Sequence, residues 1–190
     1  MIRTSTKGIV IHTTASNSGN LPDTIQNYFL RFLRWQKGGY HIIYPQAGER
    51  KQYYDWKTEA TNGIEPNLGY SNSNTIHLSY IGGINNANQN EAVCNITPSQ
   101  ERQMIEDIRQ ILRWYPKAKI LGHNQINLKY CPSFWTPDWL RKHGISENNI
   151  DETDPFRVKN TIKKLPHPGN FYTSINNEVR TCQCCGQKID

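Results

Sequence analysis

The sequence predicts an α/β (α+β) fold, a β-sheet with helices packed on its faces. Three observations carry this. Short β-branched runs recur along the chain and read as buried strands. Two segments between them place apolar residues at helical spacing. Strands and helices therefore alternate, and that order puts helices on the faces of a sheet. At 190 residues there is room for one ordinary domain and an appendage, with length enough to bury a core without a disulfide scaffold.

The first strand is Gly8 to His12, GIVIH, followed by a polar loop, TTASNSGN. Pro22 opens a helix in which Ile25, Phe29, Phe32 and Leu33 form one stripe, with Gln36 next on the same face. Gly38 and Gly39 end it. Tyr40 to Tyr44 is the second strand, and Lys51 to Tyr54 a third, paired with it across a turn at Gly48. Residues 57 to 73 hold Asn, Gly and Ser without a period and form a long loop, a kind of segment that often carries function. Asn74 to Ile81 is a strand closed by Gly82-Gly83, and an Asn-rich loop follows it. Thr97-Pro98-Ser99-Gln100 has the spacing of a capping box with Pro at the first helical position. Met104, Ile105, Ile108, Ile111, Leu112 and Tyr115 are that helix's stripe, and Pro116 stops it. Ala118 to Leu121 is a short strand ending at Gly122-His123, and Pro137 to His143 a short terminal helix. Past about residue 146 the periodic signal fades, so we expect a domain over 1–146 and a linker with a small appendage over 147–190.

Composition narrows the function classes. Aromatic residues at 11% are too many for a disordered chain. No segment approaches the ~20 apolar residues of a membrane span. The N-terminal MIRTSTKGIVIH has no apolar stretch of signal-peptide length, so cytoplasmic synthesis without a cleaved signal is expected. The net charge of +6 contains no Lys/Arg run longer than two, so no nucleic-acid patch is legible. Mild basicity suits anionic polymers, or simply solubility.

Three residues could act together. His12 ends the first strand, His123 ends the last, and Cys131 lies eight residues beyond His123. Strand ends at one sheet edge can meet. Two imidazoles and a thiolate form a tetrahedral zinc set with the fourth position left to water, the open pattern of catalytic rather than structural zinc. Water in that position has its pKa lowered from ~16 towards ~7. Spacing alone also admits a hydrogen-bonded structural histidine and a core cysteine.

The wording of these segments goes further. IVIHTTAS (9–16), GGYHIIYPQAGE (38–49), NTIHLSYIGGIN (74–85), TPSQ (97–100) and LGHNQINLKYCPSFW (121–135) occur in an order that resembles the zinc-dependent N-acetylmuramoyl-L-alanine amidases, which include phage amidase-type lysozymes and peptidoglycan-recognition proteins. The resemblance spans about residues 8 to 143 and is most specific in its last block. It implies a central mixed β-sheet with flanking helices and Zn2+ in an open groove, held by His12, His123 and Cys131. It places Tyr40 and Lys129 as catalytic residues of the phage type, donors to a developing oxyanion on the muramoyl–L-alanine amide or to the zinc-bound water. On residue type alone, Tyr40 also suits a ring packed in the core and Lys129 a solvated surface lysine. His41 and His77 read as structural, and His143 and His167 as surface residues. The stretch 59–74 lacks the histidine that many members carry before the next strand, and no glutamate base stands out.

The implied partner is peptidoglycan or soluble muropeptides. The implied role is cell-wall lysis after release or delivery, as by a phage or prophage endolysin or an antibacterial effector. The alternatives are a cytosolic muropeptide-recycling amidase, a non-catalytic peptidoglycan-binding module, and a protein with a closed structural zinc. Cys182, Cys184 and Cys185 make C-x-C-C-G, which contains half a zinc knuckle, and Cys94, Cys184 or His167 could add ligands to it.

Overall fold

The computed structural model describes residues 5–165. Five strands, β1 (Gly8–Thr13), β2 (Ile42–Tyr44), β3 (Lys51–Gln52), β4 (Thr75–Tyr80) and β7 (Lys119–Gly122), form one sheet in the order β3-β2-β4-β1-β7. The pairings β2–β4, β4–β1 and β1–β7 are parallel and β2–β3 is antiparallel, so the sheet is mixed. Every residue of β1, β2 and β4 is buried, as expected of strands covered on both faces.

Period-two alternation sorts the two faces. Ile9, Ile11, Ile42, Tyr44, Ile76, Leu78, Tyr80 and Ile120 join one core cluster. Met104, Ile105, Ile108 and Ile111 of helix α2 (Pro98–Trp114) and Trp139 and Leu140 of helix α3 (Thr136–Lys142) complete it. The capping box of α2 forms as expected: Thr97 Oγ1 accepts from Gln100 N–H and Gln100 Oε1 accepts from Thr97 N–H. The same Gln100 amide donates to the Tyr44 and Ile81 carbonyls, tying the start of α2 to two strands. The opposite face carries Val10 and His12 of β1, aligned with His77 and Ser79 of β4. That face is buried and mixed, with the polar His12, His77 and Ser79 beside the apolar Val10, Leu121 and Ile43.

Trp139 is the keystone of the apolar layer. It is fully buried, packs on Phe134 and His143, and its Nε1–H donates to Glu101 at 2.8 Å. Trp139→Ala is expected to cost ~3–5 kcal/mol, because it leaves both a cavity and a buried carboxylate short of a donor. Urea unfolding measures this; a loss below ~1 kcal/mol would contradict the packing account.

Three elements depart from the sequence expectation. The helix from Pro22 is α-helical only over α1 (Pro22–Asn27) and then widens into a π-turn, Tyr28–Phe32, in which Leu33 N–H reaches the Tyr28 carbonyl. The wider turn rotates the expected stripe, so Ile25 and Phe29 are buried while Phe32 is 74% exposed. Arg34, at φ +55°, ends the helix before Gly38. Tyr40 precedes β2 rather than lying in it. The Asn-rich stretch expected as a loop contains a hairpin, β5 (Ile84–Asn85) with β6 (Asn88–Ala92), whose turn is closed by Asn85 Oδ1 accepting from Ala87 N–H. A mostly polar hairpin with a single buried apolar residue, Ile84, has no hydropathy period to read.

Residues 147–165 pack back on the domain. Ile150 bridges to Ile120, and Val158 together with Ile162 of helix α4 (Lys159–Ile162) buries against Trp135. These are contacts of isolated residues, without an apolar period to announce them. The cluster Cys182, Cys184, Cys185, and His167, lie outside the described residues. No helix among the described residues is long and apolar enough to cross a membrane.

Candidate metal centre and groove

β1 and β7 are neighbours and parallel, with Ile11 opposite Gly122, so residues just past that register leave the sheet side by side at its carboxyl edge, where open α/β sheets commonly place ligand sites. His12 is the next residue on β1, and His123 follows Gly122 as the start of a 3-10 turn, His123–Gln125. The loop returns Cys131 to this point. Asn124 N–H donates to the Cys131 carbonyl at 2.7 Å and Thr13 N–H to Cys131 Sγ at 3.2 Å. Gln125 anchors the turn through Gly122 N–H and through the Asp151 and Thr153 carbonyls.

The structure thus brings His12, His123 and Cys131 together, with one donor atom from each inside a 4.8 Å span. Cys131 Sγ lies 3.7 Å from His12 Nδ1, and the two imidazole rings meet edge to face at 4.7 Å. Zn–N near 2.0–2.1 Å and Zn–S near 2.3 Å set tetrahedral edges of about 3.3–3.7 Å. The His12–Cys131 edge already matches, and the donor set of two imidazoles and a thiol is one that zinc takes.

Electrostatics prepare the imidazoles. Burial, reinforced by His123, His77 and Lys129, holds His12 well below its ordinary pKa. Burial and then Lys129 bring His123 down to about 4. Both rings are therefore neutral, as ligands must be. Burial pushes the Cys131 thiol up to about 12, against the Thr13 N–H and Lys129, which favour thiolate. Cationic charge beside that sulfur would reverse the shift. His123 Nε2 lies 3.0 Å from Asn127 Oδ1, and the Asn127 amide donates to the Glu65 carbonyl. With its amide thus oriented, Asn127 accepts from Nε2–H and leaves Nδ1 as the ring's lone pair.

A groove of about 560 Å3 opens beside these residues, lined by Phe29, Trp35, Tyr40, Glu65, His123 and Lys129 among others. Tyr40 packs its ring 5.1 Å from that of His12 and against Phe29, so it serves the core and the groove at once. Its hydroxyl lies 3.5 Å from the Thr13 carbonyl, a long contact. Burial, then Cys131, raises its pKa well above the ordinary value, so it is a proton donor at neutral pH. Lys129 stands half-exposed at the rim, 3.5 Å from Glu65. Sequence reading passed over Trp35, which stacks on Phe29 at 5.1 Å and lines the groove, and over Glu65. It read His77 as structural without placing it beside His12, whose Nε2 lies 3.0 Å from His77 Nδ1. The signal for His77 was register: two residues before Ser79, it shares a face with His12. His41 bonds backbone at both ring nitrogens, the His77 amide and the Glu59 carbonyl.

Comparison with known proteins gives the family and the fold. The family model described as N-acetylmuramoyl-L-alanine amidase matches residues 3–134. The endolysin of Escherichia phage T7 is 28% identical over 150 residues, covering 75% of this chain and 91% of its own length. Among solved structures, the Ph2119 endolysin from a Thermus scotoductus bacteriophage aligns with a TM-score of 0.57 at 22% identity, over 70% of this chain and 80% of that one. The N-acetylmuramoyl-L-alanine amidase LysC from Clostridium intestinale aligns with a TM-score of 0.59 at 18% identity, over 77% and 91%. These two structures share the fold.

Proposed function

This chain belongs to the N-acetylmuramoyl-L-alanine amidase family, and on that premise we propose that it hydrolyses the bond between N-acetylmuramic acid and L-alanine in intact peptidoglycan, using zinc held by His12, His123 and Cys131. The observation that carries this reading is the meeting of those three side chains at the carboxyl edge of the sheet, beside a groove.

Bound there, zinc would supply Lewis acidity to a carbonyl and a hydrolytic water at neutral pH. The chain's own residues do the rest. The groove holds the stem peptide and orients the amide, with Trp35 and Phe29 as apolar wall and Glu65 and Lys129 as charged rim. The Tyr40 hydroxyl and the Lys129 ammonium donate to the oxygen that gains charge as the amide carbon becomes tetrahedral. The body's net positive charge prolongs contact with anionic wall polymer, in a salt-sensitive way. Action on the wall after release or delivery, in the manner of an endolysin, is the role this supports.

Purified sacculi are the test. Digestion is expected to release free peptides beginning with L-alanine and to leave the glycan strands whole. A chelator is expected to stop it and added zinc to restore it, all read by muropeptide mass analysis. Cleavage of soluble muropeptides with sacculi untouched would replace the wall-lytic reading with a recycling one. Inertness towards both would mean recognition without catalysis.

A further inference from the structure

We propose that His77 and Thr75 are positioning residues that dictate which nitrogen of His12 faces the metal, through a hydrogen-bond chain whose direction is set by the Ser71 carbonyl. The inference rests on the reading of His12 as a ligand.

The chain is worked out from its far end. Thr75 Oγ1 lies 2.6 Å from the Ser71 carbonyl oxygen, which can only accept, so the single hydroxyl proton of Thr75 goes there. Thr75 Oγ1 also lies 2.9 Å from His77 Nε2. Its proton being spent, it must accept, and His77 Nε2 therefore carries the ring proton. A neutral imidazole has one N–H, so His77 Nδ1 presents a lone pair. That lone pair lies 3.0 Å from His12 Nε2, which must then be the protonated nitrogen of His12. The lone pair of His12 is left on Nδ1, the atom 3.7 Å from Cys131 Sγ. With both rings neutral, each link permits only one direction once the carbonyl is fixed.

The surroundings protect the chain. His12, Thr75 and His77 have no exposed surface, so water does not compete for these bonds. Gly63 leaves room for the His77 ring. A Cβ at that position would stand 2.4 Å from His77 Nδ1, 2.6 Å from its Cγ and 2.7 Å from the Gly39 carbonyl oxygen. Ligating histidines commonly donate their distal N–H to a carboxylate, carbonyl or water. Here the acceptor is a second imidazole, itself oriented from the loop before β4. Ser71 lies in that loop, so it reaches the metal ligand through three hydrogen bonds.

The test uses the full chain. Thr75→Val keeps the shape and removes the acceptor for His77 Nε2–H; Thr75→Ser restores it. His77→Leu removes the acceptor for His12 itself. In metal-free protein, nitrogen-15 NMR of the imidazoles is expected to show His12 and His77 both protonated at Nε2, and Thr75→Val to shift both towards mixed tautomers. Zinc affinity, read by chelator competition, is expected to fall ~10–100-fold in Thr75→Val and at least as far in His77→Leu. Recovery in Thr75→Ser is expected. A purely structural Thr75 would lower the melting temperature while leaving affinity and ring shifts alone. Wild-type His12 protonated at Nδ1, or Thr75→Val within twofold of wild type in zinc affinity, overturns the proposal. Wild-type protein that binds no zinc would instead overturn the metal reading, and the ring shifts would still decide the hydrogen-bond chain.

Discussion

Replacing Cys131 with serine is expected to empty the metal centre and reduce sacculus hydrolysis by about a thousandfold or more. Zinc stabilises charge in the transition state by several kcal/mol, and each 1.4 kcal/mol is a factor of ten. Serine offers a hydroxyl that stays protonated where the thiol can ionise, so it is a far weaker ligand. The fold should survive. Cys131 is only partly buried, and the loop that carries it is held from both ends, by Asn124 N–H on the Cys131 carbonyl and by the buried Phe134 and Trp135. Metal content after dialysis and peptide release from sacculi are the two readouts. A serine variant that keeps zinc and hydrolyses wall normally would remove Cys131 from the ligand set.

Tyr40→Phe and Lys129→Ala are each expected to lower kcat by ~10²–10³ with zinc content unchanged, the usual effect of losing one donor to an oxyanion. Tyr40→Phe keeps the ring that packs on His12 and Phe29 and removes the hydroxyl alone. Lys129→Ala removes the ammonium at the rim and frees Glu65 from its ion pair. The loss should fall on kcat rather than KM, because both donors act on charge that appears only as the amide reacts. Glu65→Gln separates the two effects at Lys129: it breaks the ion pair and keeps the ammonium. If Lys129→Ala raised KM alone and Glu65→Gln did the same, Lys129 would be a substrate-binding residue and no donor to the oxyanion.

Much of the fold was legible because its core strands are buried on both faces. GIVIH and NTIHLSYI read as strands since covered parallel strands are continuous in apolar and β-branched residues. Helix α2 was readable to within a residue of its start because a capping box and a proline mark it locally. What escaped lacked a local mark. The π-turn at Tyr28–Phe32 inserts one residue into a regular stripe, and nothing in YFLRF announces the wider turn. The β5–β6 hairpin is mostly polar, with Ile84 its one buried residue, and its turn is closed by the Asn85 side chain.

The site divides in the same way. By itself the sequence determined the candidate donor types and their order along the chain, a histidine closing the first strand, another closing the last and a cysteine eight residues on, and the family resemblance added a tyrosine and a lysine. Those are properties of residue identity and spacing. Only the tertiary structure decided what lies behind and beside them. Parallel pairing of β1 with both β4 and β7 puts His12 between His77 and His123. The long loop before β4 contributes the Ser71 carbonyl on one side and the Glu65 carbonyl on the other. Hydrogen-bond direction is a property of chains of contacts, and the contacts that carry these chains to the ligands join residues 65 positions apart at His12–His77 and 62 apart at Glu65–Asn127. No window along the sequence contains them.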